Sequence, residues 1–192
     1  MNLRLTMMIS LLFFLAAPIH AATLEVNGDG KLIGASNVDV GGTLYDVSFV
    51  DGTCISLFSG CDDAATDFTF QTAQSAELAS QSLIDQVLLG SFDTDPGLTF
   101  GCADGSALCY LTTLYALNEN ETVAKTAGNL ASANIINDRF YSPGFDTSED
   151  GAGVYAVWSQ ANVSPVPLPA AAWLFLSGLG VLGYTGWRKK AA

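Results

Sequence analysis

The sequence contains a single histidine, His20, and no other histidine follows it. Enzymes with a Ser-His-Asp or Cys-His arrangement need an imidazole as general base, and many zinc sites use histidine ligands. The chain after His20 therefore lacks the residue on which these classes of enzyme and metal site depend.

Positive charge is also scarce, because only Lys31, Lys125 and Arg139 lie between the first 21 and the last 27 residues. All 19 acidic residues fall between Glu25 and Asp150, which gives this stretch a net charge of −16. Such a surface repels nucleic acid and anionic lipid. We therefore expect no nucleic-acid partner, although the acidic composition is also explained by solubility alone.

The first 21 residues have the order of a secretory signal peptide. Arg4 is followed by an apolar run over residues 11–17, then by Pro18 and small residues up to Ala21. This order predicts export and cleavage after Ala21. An uncleaved N-terminal anchor is the alternative, and it exports the same middle part of the chain.

The C-terminal residues predict a membrane span. Residues 170–187 carry no charge and are long enough to cross a bilayer as a helix. A basic cap follows directly and is expected to stay on the cytoplasmic side; it consists of Arg188, Lys189 and Lys190. The membrane is thus an expected partner of the chain, through a C-terminal transmembrane helix.

A short proline-bearing motif precedes this span and consists of Val166, Pro167, Leu168, Pro169 and Ala170. Motif, span and basic cap together resemble the VPLPA variant of the PEP-CTERM sorting signal. The resemblance implies that a membrane exosortase recognises the tail and cuts near the motif. The commoner form has a Glu between two prolines, where this chain has Leu168. A plain C-terminal anchor is the alternative.

The four cysteines form two pairs of identical spacing, Cys54-x6-Cys61 and Cys102-x6-Cys109. Export to an oxidising compartment favours disulfides, for which sequence alone allows three connectivities. We favour the two local pairings, because Gly and Ser in each loop permit a tight return. Closely spaced C-x2-4-C pairs, typical of a four-cysteine zinc site, are absent.

Apolar patterning predicts mostly strands. Segments 33–40 and 43–50 flank Gly41 and Gly42, a strong signal for a two-residue hairpin. Further segments that read as extended are residues 67–70, 98–100, 108–117, 122–127 and 153–159.

One segment, residues 72–89, has the apolar period of a soluble helix, with Thr72 as its N-cap and Gly90 at its end. In the last predicted strand Val154, Ala156 and Trp158 share a face. The sequence therefore predicts an α+β fold, in which a mainly antiparallel sheet packs against this one helix.

These elements divide the chain into a signal peptide, an exported acidic domain, a linker and a sorting tail, at residues 1–21, 22–159, 160–165 and 166–192. Residues 42–54, the DFTF segment and the helix also resemble the ectodomains of other PEP-CTERM proteins, over about residues 31–110. That resemblance implies a location and no activity.

Two acidic clusters are candidates for Ca²⁺ ligands. Asp146, Ser148 and Asp150, followed by Gly151, match the first half of an EF-hand loop, but Val157 stands where the loop needs a bidentate carboxylate. The other cluster consists of Asp62, Asp63 and Asp67. We expect any Ca²⁺ binding to be weak and structural, and a solvated acidic turn is the alternative.

No catalytic residue or cofactor-binding residue is singled out by the sequence. The interpretation that follows is an exported, membrane-sorted surface or matrix protein without catalysis, with extracellular polysaccharide as a further candidate partner. One alternative is a secreted enzyme that acts on polysaccharide through two carboxylates. The other is a weakly Ca²⁺-binding surface module.

Overall fold

The computed structural model describes residues 21–162. The predicted signal peptide, up to residue 20, the sorting motif, the span and the basic cap lie outside the described residues. The chain divides into two units, Met1–Ala161 and Asn162–Ala192. Among the helices of residues 21–162, none has the length and apolar character needed to cross a bilayer.

The described residues form a seven-stranded sheet with the spatial order β1-β2-β3-β7-β4-β5-β6. The strands are β1 Thr23–Val26, β2 Leu32–Val40, β3 Thr43–Val50, β4 Leu108–Asn118, β5 Glu121–Leu130, β6 Ile135–Tyr141 and β7 Gly153–Gln160. The helices are α1 Cys54–Leu57, α2 Ala64–Asp67, α3 Ala73–Gln86 and α4 Ser91–Thr94, with 3₁₀ turns at Pro96–Leu98 and Thr147–Glu149.

The sheet is mixed, because β7 runs parallel to β4 while every other neighbouring pair is antiparallel. The predicted hairpin is confirmed: β2 and β3 are joined by Gly41 and Gly42, both at positive φ, as a type I′ turn requires. The last strand in sequence, β7, lies at the centre and joins the β1-β2-β3 meander to the β4-β5-β6 meander. The α+β prediction is thus confirmed for the described residues.

The predicted helix is present as α3 and is shorter at its C-terminal end. Thr72 caps it as predicted: its side chain accepts from the Ser75 backbone N–H, and Ser75 Oγ accepts from the Thr72 N–H. The helix ends at Gln86 and not near Gly90, which instead precedes α4. Leu88 is nevertheless almost fully buried, because the chain past the helix stays packed on the core.

Two apolar cores lie on opposite faces of the sheet. The larger core contains α3 and one face of β7, including Val154, Ala156 and Trp158, so their predicted common face is confirmed. The smaller core lies under α1 and α2 on the other face and includes Tyr155. The strict alternation of β7 therefore supplies side chains to both cores.

The prediction of a strand at residues 67–70 is wrong. Asp63 caps α2 by accepting from the Ala65 N–H, so Asp67 is the last residue of a helix. Phe68 then enters the smaller core and Phe70 the larger one, although a strand would place both rings on one face. A local capping interaction overrides the apolar alternation here.

Other boundaries also differ from the sequence-based expectation. Pro96–Leu98 forms a 3₁₀ turn, and only Thr99 of the predicted 98–100 strand makes a β-bridge, to Leu32. The edge strands β1 and β6 were not predicted, because polar residues interrupt their apolar pattern, as Asn137 and Asp138 do in β6.

Both local disulfides are present, Cys54–Cys61 and Cys102–Cys109, with Cα–Cα distances of 5.6 and 5.8 Å. The first belongs to the smaller core and the second to the larger core. Each face of the sheet therefore carries one covalent link that restricts its adjoining loop.

Removing either disulfide by paired Cys→Ala substitution is expected to lower the free energy of unfolding by about 2–3 kcal/mol, because each link closes a short loop in the unfolded chain. Urea denaturation of the two double variants and the quadruple variant measures this. The two losses should add within about 0.5 kcal/mol, since the links lie in different cores. Unchanged stability of both double variants would contradict a structural role for the disulfides.

Candidate functional site

The residues that match the first half of an EF-hand loop cap a 3₁₀ turn in the structure. Asp146 Oδ1 accepts from the Ser148 N–H at 3.0 Å and from Ser148 Oγ at 2.7 Å, at the start of the Thr147–Glu149 turn. Asp150 is exposed and ends that turn. Weak Ca²⁺ binding at Asp146, Ser148 and Asp150 stays a prediction.

Carboxylates of the second acidic cluster also accept hydrogen bonds from nearby backbone N–H groups. Asp67 Oδ2 accepts from the N–H groups of Asp62 and Asp63, while Asp63 Oδ1 accepts from the Ala65 N–H. Within residues 21–162 no group of three or more His, Cys, Asp or Glu side chains is arranged to hold a metal ion.

Two of the three cations in the domain are paired with carboxylates. Lys31 contacts Asp104. Lys125 Nζ lies 2.8 Å from Asp138 Oδ1 and 3.1 Å from Glu77 Oε2, and these hydrogen bonds raise the pKa of the Lys125 ammonium.

Arg139 differs from both lysines. Its guanidinium carbon lies 3.9 Å from the ring centroid of Tyr110, in a cation–π contact. No carboxylate of the described residues lies within ion-pair distance of it. Arg139 is thus the one cation of the described part whose charge is not balanced by an acidic side chain.

Arg139 and Tyr110 belong to a groove on the sheet face opposite α3, which we call the Arg139 groove. It has a volume of about 440 Å³, within the usual range of ligand sites, and its lining includes Tyr110, Thr112, Arg139, Tyr141, Phe145 and Asp150. The floor is formed by β4 and β6, with β5 between them.

The register explains how the floor is built. Arg139 lies opposite Ala124 on β5, and Tyr110 lies opposite Gly128 further along the same strand. The long Arg139 side chain runs diagonally across β5 to the Tyr110 ring, past Thr126, which lies between these two small residues on the same face. The contact therefore depends on three strands in a fixed register.

The wall of the groove is the segment between β6 and β7. The Phe145 ring stacks on the Tyr141 ring, with centroids 5.2 Å apart and planes at 28°. Thr147, only 3% exposed, anchors this segment: its Oγ donates to Asp51 Oδ1 at 3.0 Å and accepts from the Gly52 N–H at 3.1 Å. The wall is thus fixed to the end of β3.

Two titratable side chains behind this wall, Asp51 and Tyr155, have a pKa that is raised mainly by their burial. Burial raises the pKa of the Asp51 carboxyl, the hydrogen bond from Thr147 lowers it, and the nearby charge of Asp146 raises it further. Burial likewise raises the pKa of Tyr155 to about 12, with smaller contributions from Tyr141 and Asp146. Tyr155 is therefore neutral at physiological pH.

Two fully buried hydroxyls on this face have no hydrogen-bond partner among the described residues. They are Tyr155 OH and Thr126 Oγ1. Both residues pair with Thr112 of the groove floor, Thr126 across the β4–β5 ladder and Tyr155 across the β4–β7 ladder. Both hydroxyls are therefore buried next to the groove floor at a cost in free energy, since a buried polar group normally has a hydrogen-bond partner.

Sequence reasoning missed this groove. Tyr110, Arg139 and Phe145 are far apart in sequence, and strand β6, which carries Arg139, was not predicted. The one available signal was the small number of cations between the two ends of the chain, of which Arg139 is one.

Comparison with protein families matches residues 165–190 to the PEP-CTERM protein-sorting motif. The chain carries a PEP-CTERM sorting signal. The matched range contains the VPLPA motif at 166–170, the apolar span and the basic cap. The PEP-CTERM resemblance stated from the sequence is thereby confirmed.

The PEP-CTERM signal marks the chain as an exported protein of the cell surface that is targeted to an exosortase. It covers the tail and assigns no activity to residues 21–162. Comparison with curated proteins finds no match, and comparison with solved structures finds none.

Proposed function

We propose that this chain is a non-catalytic surface protein, held in the membrane by its C-terminal span until an exosortase cuts near residues 166–170. In this proposal residues 1–21 direct export, residues 188–190 stay inside the cell, and the acidic domain stands outside. The observation that carries the proposal is the PEP-CTERM match at residues 165–190, which coincides with the motif, the span and the cap in order.

Two further observations support this reading. The domain has no histidine after His20, and both cysteine pairs form disulfides, as suits an oxidising compartment outside the cytoplasm. The absence of histidine removes the commonest general base, which supports a role in binding or surface structure in place of catalysis.

The sorting step has a direct test in the mass of the protein recovered from the cell surface. We expect the wild-type protein to lack Arg188, Lys189 and Lys190 together with the two residues that follow. A variant with Pro167→Ala and Pro169→Ala should keep them, because the motif that the exosortase reads has been changed. Intact-mass spectrometry of the surface fraction distinguishes the two forms.

Ser164→Ala is the matched control, since it lies outside the matched range and should be processed like wild type. If the wild-type surface protein still carries residues 188–192, the tail is a plain membrane anchor and exosortase processing is contradicted.

A further inference from the structure

We propose that the Arg139 groove binds a segment of neutral polysaccharide. The inference rests on the proposed function only in placing the domain outside the cell, where such polymers occur. Its own basis is the set of chemical groups that the groove presents and the charge that surrounds it.

The groove offers the groups that a sugar ring requires. A pyranose has apolar C–H faces and a rim of hydroxyls, each of which both donates and accepts hydrogen bonds. Tyr110, Tyr141 and Phe145 are partly exposed aromatic residues of the groove lining, and the Arg139–Tyr110 and Tyr141–Phe145 stacks fix the orientation of their rings.

The lining of the same groove also contains a hydrogen-bond donor and a hydrogen-bond acceptor. Arg139 has five N–H donors in a rigid fork, and the stack on Tyr110 holds that fork in place. Asp150 contributes an exposed carboxylate that accepts hydrogen bonds only. Donor and acceptor together match hydroxyl groups, which need both.

The negative charge of the exported part favours a neutral over an acidic polymer as the ligand. The exported part carries 19 acidic residues against three cations, and two of those cations are already paired. The one guanidinium of the groove, which has no carboxylate partner, does not offset the repulsion that a chain of uronic acids would meet. A neutral polymer meets no such repulsion, so the surface selects for it.

A larger concavity of about 650 Å³ lies between α3 and the β2–β3 turn and is a weaker candidate. Its charged lining residues are Asp39 and Asp85, and it contains no aromatic side chain. It therefore has neither an aromatic ring against which a sugar could pack nor an arginine that could donate hydrogen bonds to it.

The test is calorimetric titration of the full chain in detergent micelles with cellohexaose, mannohexaose and chitohexaose, and with tetragalacturonate as the acidic comparison. We expect at least one neutral hexasaccharide to bind and tetragalacturonate to bind at least about tenfold more weakly. Arg139→Gln and Phe145→Ala should each weaken binding by about tenfold or more, because each removes one type of contact with the sugar.

Phe140→Ala is the matched control. Phe140 lies between Arg139 and Tyr141 on β6, is 57% exposed and points to the opposite face of the sheet. Its removal should change the affinity less than about twofold, and circular dichroism should show that all three variants are folded. If Arg139→Gln does not fold, Phe145→Ala on the wall tests the same groove.

The proposal is overturned if no neutral hexasaccharide binds at millimolar concentration, if tetragalacturonate binds as tightly, or if both groove variants match Phe140→Ala. Release of new reducing ends during incubation would instead contradict the non-catalytic function. Retention of residues 188–192 would contradict sorting while leaving the binding result intact.

Discussion

Trp158→Ala is expected to lower the free energy of unfolding by about 3–5 kcal/mol, the range for removing a large aromatic from a core. Trp158 is 7% exposed and lies on the central strand β7. Its ring makes edge contacts with Phe70, at 5.5 Å between centroids, and with Tyr45, at 6.4 Å. Its Nε1 donates to Thr113 Oγ1 at 3.1 Å, so packing and a buried hydrogen bond are lost together.

Chemical denaturation followed by far-UV circular dichroism measures this loss. Trp158→Phe is the control: it keeps a ring in the core and removes the indole N–H, so its cost should be smaller, about 1–3 kcal/mol. A Trp158→Ala variant that loses less than about 1 kcal/mol would contradict the placement of β7 between β3 and β4.

Gly34→Ala has the next largest expected effect, about 2–4 kcal/mol of lost stability. A Cβ at Gly34 would overlap the carbonyl oxygen of Val47 and lie 3.2 Å from the Cα of Ser48. These are backbone atoms of the neighbouring strand, so no side-chain rotation relieves the overlap. Strands β2 and β3 would have to separate next to the irregularity that follows Ala35.

Gly28→Ala gives the matched control, because a Cβ there meets nothing within 4 Å. Its effect should stay within about 0.5 kcal/mol. Hydrogen exchange of the amides in β2 and β3 should rise in Gly34→Ala and stay at the wild-type level in Gly28→Ala. Equal stability of both variants would show that the β2–β3 pairing at Gly34 and Ser48 differs from the one described.

The parts of the fold that sequence reasoning found are those with local causes. The Gly41-Gly42 turn, the Thr72 cap and the two seven-residue disulfide spacings each depend on neighbouring residues alone. The strand alternation of residues 153–159 was also correct, because its period of two is strong enough to be recognised within one segment.

The parts that it missed depend on distant residues. Phe68 and Phe70 alternate like a strand, yet the cap at Asp63 places a short helix before them and sends the rings to different cores. The contact between Arg139 and Tyr110 requires the register of β4, β5 and β6, which no local pattern specifies. A candidate site made by three strands is therefore visible only in the folded chain.

Because β7 is the last strand in sequence and lies at the centre of the sheet, the sheet is completed late in the synthesis of the chain. The chain is made from its N-terminus, yet the two halves of the sheet, β1-β2-β3 and β4-β5-β6, do not pair with each other and are joined within the sheet by β7. The domain therefore becomes complete only when Gln160 has emerged, and only residues 161–165 then remain before the VPLPA motif. Any chain truncated before Gly153 lacks both the strand that joins the sheet and the sorting tail, so a domain left incomplete by truncation carries no sorting signal.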